Sequence, residues 1–291
     1  MAVYMIVWCG LIPFFRYEMS PDGISYFSVA QKYAQFDFYH AVNAYWGPLI
    51  SWLLVPFLWL QIPVLTAARI LQLALGAIIM LLAESFIRKH TERKFLYNSA
   101  MIGVTSLTLW VSLIYFSTDL LFLLLSLMLL HFTEKRRIYK NTSWLYIGLT
   151  GAALYLCKAY GLPFFAAAFI LILVREFISE GKMRKQLIGT GVRALAVFVA
   201  ASGIWIGILS VNYGFFTTGS AGGYNQSLVG PEMRHHATDY MGLISPPNET
   251  ALSAWEDISL VEVPRWSPFD SRESMVYQMN LISHNFLVIW K

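Results

Sequence analysis

Residues 65–87 read LTAARILQLALGAIIMLLAESFI, with only two charges: Arg69 in the first turns and Glu84 near the far end. As a helix, this run extends about 35 Å, enough to cross the ~30 Å hydrocarbon core of a bilayer. The rest of the chain repeats the signal. Its 291 residues are 57% hydrophobic and 13% charged, with a mean hydropathy of +0.55. A soluble domain carries about a quarter charged residues. The expectation is an all-α protein, a polytopic transmembrane bundle of about seven spans. Two interfacial helices are expected in its first external loop.

Outward from residue 65, the apolar runs are Ala2–Phe15, Leu65–Ile87, Phe95–Tyr115, Leu120–Phe132, Trp144–Tyr160, Leu162–Val174 and Leu187–Val211. Trp46–Leu60 is also apolar, but Gln61-Ile62-Pro63 breaks it from the next run, so it is expected as an interfacial or half-buried helix. Residues 1–216 then form the membrane domain, with an external loop at 16–63. Asn212–His284 is polar and rich in Gly, Pro and acids, so residues 217–284 are expected as an external loop or small domain. Residues 285–291 read as the first turns of a further span, the mark of a chain cut short. The first run is short for a span and lacks the basic start and cleavage site of a signal peptide.

Arg88, Lys89, Arg93 and Lys94 follow the second run. Lys135, Arg136, Arg137 and Lys140 follow the fourth, and Arg175, Lys182, Arg184, Lys185 and Arg193 the sixth. Together they are 13 of the 21 Lys and Arg. Basic residues mark cytoplasmic loops, and with seven spans all three connections fall on one face. The Asp22 loop, the Asp119 and Lys158 turns and the C-terminal segment then share the external face. The net charge of +4 sits in short loops and is no nucleic-acid signal. Cys9 and Cys157 lie in apolar runs and read as packed membrane cysteines, not a disulfide or metal site. No repeat, heptad or Gly-rich phosphate loop is visible. Asn141-Thr-Ser, Asn225-Gln-Ser and Asn248-Glu-Thr match the glycosylation sequon, with Asn141 on the cytoplasmic side.

The chemistry is sought at the external ends. Ser20 suits an N-cap and Pro21 the first helical position. Tyr26, Phe27, Val29, Ala30, Tyr33 and Ala34 then fall on one arc, and Ser25, Ser28, Gln31, Lys32 and Gln35 on the other. Such a helix is expected in the interface plane, polar arc to water. Asp22 lies in its first turn, where a carboxylate either supports the helix start or serves as a general base. Lys158 stands where two apolar runs meet, either snorkelling to the interface or functional. Asp119 opens the fourth run as a cap or a site acid. Two acids, Asp22 and Asp119, and two cations, Lys158 and Arg69, thus gather on the external face. A carboxylate to take a proton and a cation to hold a phosphate suit glycosyl transfer from a lipid phosphate.

On these residues the chain resembles the GT-C membrane glycosyltransferases, the superfamily of protein O-mannosyltransferases and the lipid A aminoarabinose transferase. The resemblance covers about Met1 to Phe216. It rests on an acid before a Tyr-containing helix (Asp22-Gly-Ile-Ser-Tyr26 and on to Tyr33) and an aromatic-Pro-Leu helix (Tyr45-Trp-Gly-Pro-Leu49). It rests also on Ala68-Arg69 opening the second span, Thr118-Asp119 opening the fourth, and Lys158-Ala-Tyr-Gly161 between the fifth and sixth. Two departures stand out. Many members have a second acid beside the first-loop acid, where this chain has Gly23. Members often have Lys-Pro-Pro where Gly47-Pro48 stands here.

The resemblance implies an inverting transferase that moves a sugar from a polyprenyl-phosphate donor to a hydroxyl of a lipid, glycan or protein. Asp22 would be the catalytic base and Lys158, with Arg69, would face the lipid phosphate. Asp119 would be a structural or acceptor-side acid, and Tyr26, Tyr45 and Trp46 would line a sugar or lipid groove. The place implied is a cell membrane such as a bacterial inner membrane, with the site on the external face. Some members use a divalent metal and others do not. Glu18, Asp37 and His40 flank the first-loop helix and His235-His236 precede Asp239, so the metal stays open. The rival readings are a transporter or flippase of lipid-linked or small polar substrates, and a non-catalytic membrane partner. Transporters show paired repeats and broken midplane helices, and neither is visible.

Overall fold

The computed structural model describes residues 1–134, 137–179, 184–231, 249–251, 256–258 and 266–289. Among these residues all regular structure is helical: α1 (Ala2–Phe15), α2 (Pro21–Ala34), α3 (Phe38–Ala41), α4 (Leu49–Trp59), α5 (Val64–His90), α6 (Lys94–Ile114), α7 (Asp119–Phe132), α8 (Ser143–Cys157), α9 (Gly161–Ser179), α10 (Arg184–Tyr213), α11 (Ala221–Ser227) and α12 (Arg272–Ile289). Each of the seven expected spans is one helix. Four helices, α5, α6, α9 and α10, are long and apolar enough to cross a membrane. By contrast α1, α7 and α8 run only 14, 14 and 15 residues, about 21–23 Å. Two of these stop at charge: Asp119 opens α7, and Lys158, extended at φ −156° and ψ 137°, ends α8.

The centre of the bundle is α5, α7 and α8, with α4 and α6 against α5, and α9 and α10 against α8. Leu54, Ile79, Ile147 and Leu154 are wholly buried there. Without a hydrophobic drive between helices in lipid, close packing must hold them, and small residues permit it. A β-carbon on Gly148 would sit 2.5 Å from the Ala194 carbonyl, so α8 meets α10 at backbone contact. The outward faces of α6, α9 and α10 keep Ile102, Trp110, Leu171 and Ile204 exposed, as a lipid-facing surface requires.

One expectation is corrected. The polar arc of α2 does not face water as a whole. Gln31 and Gln35 are exposed, but Ser25, Ser28 and Lys32 are 2%, 3% and 4% exposed. Their cover includes a single helical turn at 256–258. Ser28 Oγ donates to Glu256 Oε2 at 2.8 Å, and Lys32 Nζ pairs with Oε1 of the same carboxylate. Asn43 Nδ2 donates to the Glu256 carbonyl. Buried charge needs such a partner, and this one is 224 residues away in sequence. Among the described residues the segment after 217 is partly helical. Ser271 Oγ accepts from Ser274 N at 3.0 Å and starts α12, which carries 272–289 without Gly or Pro. His235, His236 and Asp239, Asn248, the basic residues Lys135, Arg136 and Lys182, and residues 290–291 lie outside the described residues.

Candidate functional site

Ser20 settles how α2 begins. At φ −78° and ψ 152°, its Oγ accepts from Gly23 N at 3.1 Å and donates to the Phe116 carbonyl at 2.6 Å. The helix is therefore capped without Asp22, whose carboxylate has no hydrogen bond or ion pair among the described residues. Gly23 sits at a tight junction. A β-carbon there would lie 3.2 Å from Ser20 Oγ and 3.3 Å from the Phe116 carbonyl, so a larger residue would press on this junction. Gly47 is closer still: a β-carbon there would lie 2.5 Å from the carbonyls of Leu156 and Cys157. The Tyr45–Pro48 turn thereby packs onto the end of α8, beside Lys158.

Asp22 faces a cleft of about 450 Å³ lined also by Tyr26, Tyr45, Trp46, Asp119 and Lys158. The structure thus brings together six of the seven expected site residues. Lys158 Nζ lies 2.9 Å from Asp119 Oδ1, with both side chains about half exposed at 48% and 59%. Ser117 Oγ donates to Asp119 Oδ2 at 2.8 Å. Burial pushes the Asp22 carboxyl above the usual carboxylate range, with Lys158 opposing and Asp119 reinforcing. For Asp119 burial acts the same way, but the bonds from Lys158 and Ser117 outweigh it and hold the group low. Two acids in one cleft are thus driven in opposite directions.

The aromatic wall is interlocked. Trp46 meets Tyr26 and Tyr45 edge-on, with ring centroids 5.1 Å and 4.6 Å apart, and Tyr45 meets Tyr224 at 5.7 Å. Asn225 lines the cleft together with Tyr45. The segment after α10 closes this side: Tyr155 Oη donates to the Thr218 carbonyl at 2.7 Å, and Ser220 N to the Ala44 carbonyl at 2.8 Å. Gly219 turns there at φ +135°, a conformation open to glycine alone. Asn225, Thr218 and Gly219 line the cleft; in sequence Asn225 reads only as part of a glycosylation sequon, and Thr218 and Gly219 were missed. The only signal for Thr218 and Gly219 is the small-residue run Thr217-Thr-Gly-Ser-Ala-Gly-Gly223.

Arg69 is the expected site residue that the cleft does not include. It is 6% exposed, and its guanidinium is committed to backbone carbonyls. The candidate metal residues divide as well. Asp37 pairs with His40 Nδ1 at 2.8 Å and caps α3. No three His, Cys, Asp or Glu side chains group together among the described residues. Comparisons of the chain with models of protein families, with curated proteins and with solved structures gave no match.

Proposed function

We propose that the protein is an integral-membrane glycosyltransferase of GT-C type that uses a polyprenyl-phosphate-linked sugar on the external face. The observation that carries this reading is Asp22: a carboxylate with no hydrogen bond or ion pair among the described residues, raised by burial, beside a Lys158–Asp119 pair in an aromatic-walled cleft. Asp22 takes the proton of an acceptor hydroxyl. That oxygen attacks the anomeric carbon from the face opposite the phosphate, and the carbon–oxygen bond to the phosphate breaks. The sugar inverts and polyprenyl phosphate leaves, its charge offset by Lys158. Tyr26, Tyr45 and Trp46 give the sugar apolar and hydroxyl contacts. Holding both substrates here supplies orientation, a large share of rate gain.

A lipid donor fits the surroundings. A second cavity of about 550 Å³ is lined by Phe36, Phe38, Trp52, Trp59, Trp205 and Ile208 among others, and suits an isoprenoid chain. A small void lined by Ala44–Gly47, Tyr155 and Trp205 lies between it and the cleft. In this reading α1, α7 and α8 also cross, giving seven spans. The loops holding Arg88, Arg137 and Arg184 face the cytoplasm. The short α7 and α8 set the charged pair at the head of the bundle.

The test is incubation of purified protein with labelled polyprenyl-phosphate sugars and hydroxyl acceptors. The expected result is release of polyprenyl phosphate with a glycoside of inverted anomeric configuration. Intact donors that only change leaflet in vesicles would support the flippase reading instead.

A further inference from the structure

Arg69 lies outside the cleft, yet its side chain reaches both chain segments that lead into it. One terminal nitrogen donates to the Phe15 carbonyl at 2.7 Å and also bonds the Glu18 carbonyl. The other donates to the Leu113 carbonyl at 2.9 Å and to Gln72 Oε1 at 3.1 Å. Gln72 Nε2 in turn donates to the Tyr115 carbonyl at 2.6 Å. These carbonyls belong to the last turns of α1 and α6 and the residues just past them, where helix carbonyls lack partners and a cation is favoured. Capping two helix ends accounts for a cation here. It does not account for the choice of segments. Glu18 stands four residues before Asp22, and Tyr115 four before Asp119. Midway, Ser20 Oγ ties the two segments again through the Phe116 carbonyl, and Phe27 packs on Phe116 with ring centroids 4.7 Å apart. Arg69, Gln72, Ser20 and Phe116 are all buried.

We propose that Arg69, with Gln72, is a positioning strut that fixes Asp22 and Asp119 relative to each other across the cleft. The planar guanidinium holds two directions at once, which an ammonium does not. Loss of the strut frees both lead-in segments while leaving the cleft's own side chains unchanged. The geometric claim stands alone; its catalytic consequence rests on the glycosyl-transfer reading.

The experiment uses the full chain in lipid nanodiscs, with Cys9 and Cys157 replaced and spin labels on Asp22→Cys and Asp119→Cys. The distance distribution is expected to be narrow with Arg69, and to broaden or shift by several ångströms in Arg69→Lys and in Gln72→Met. Unchanged distributions in both variants would overturn the strut. If Arg69→Lys fails to fold, Gln72→Met decides alone. With native Asp22 and Asp119, Arg69→Lys is expected to lower kcat about tenfold or more with the donor KM little changed. A raised donor KM at normal kcat would overturn the strut in favour of phosphate contact. A native protein that turns over no donor, with variant distances still altered, sinks the transferase reading and leaves the strut standing.

Discussion

Asp22 occupies a position where a carboxylate ordinarily helps to start a helix, but Ser20 performs that task, and among the described residues the Asp22 carboxylate makes no hydrogen bond. Its raised pKa carries two signed consequences. As a base it works only when ionised, so kcat/KM is expected to fall with decreasing pH through an acid limb above the ordinary value of about 3.9. Lys158 lowers this pKa, so Lys158→Met should move the limb upward, whereas Asp119→Asn, which removes a nearby negative charge, should move it down. A limb indifferent to both changes would separate Asp22 from the pair. The folded state also binds the Asp22 proton more tightly than the unfolded state does. Stability therefore declines as pH rises from the unfolded to the folded pKa. Asp22→Asn is accordingly expected to keep or slightly raise the melting temperature at neutral pH; a clear loss would make Asp22 a structural residue. The charged cleft residues were legible because each stands beside an apolar run or at the start of an amphipathic helix. Arg69 reads the same way in sequence, but its partners are carbonyls from two distant segments, which no local pattern displays.

At the scale of elements, α2 shows where periodicity stops informing. Its two arcs are real, yet the polar one is held against Glu256 through Ser28 and Lys32. The ammonium's pKa is lowered by its burial, which Asp37 and Asp257 oppose. Lys32→Met would leave Glu256 buried without its cation, a change that costs about 3–5 kcal/mol in comparable pairs. A double variant, Lys32→Met with Glu256→Leu, should recover most of the loss, because the desolvation of both charges goes with them. Thermal melts of the two singles and the double measure the coupling. Additive losses would show that the pair does not clamp the C-terminal segment onto α2. The positions of α5, α6, α9 and α10 were readable from composition, whereas α12 was obscured by its Ser, Asn and His content.

For the whole molecule, the seven-span reading depends on short helices and on loop charge together. It can be tested by impermeant thiol labelling of single cysteines in a Cys9→Ser, Cys157→Ser background. Tyr39→Cys, at an exposed position in α3, should label from outside intact cells. Arg93→Cys, between α5 and α6, should label only after permeabilisation. The same sidedness at both positions would break the topology on which the external site depends. The central claim concerns chemistry at Asp22, and the most direct measurement is the rate of polyprenyl-phosphate release from a labelled donor by wild type and Asp22→Asn at equal amounts of folded protein. The account expects inverting transfer by wild type and a loss of about 10²-fold or more in the variant, the span of general-base contributions. Full activity in Asp22→Asn would contradict it.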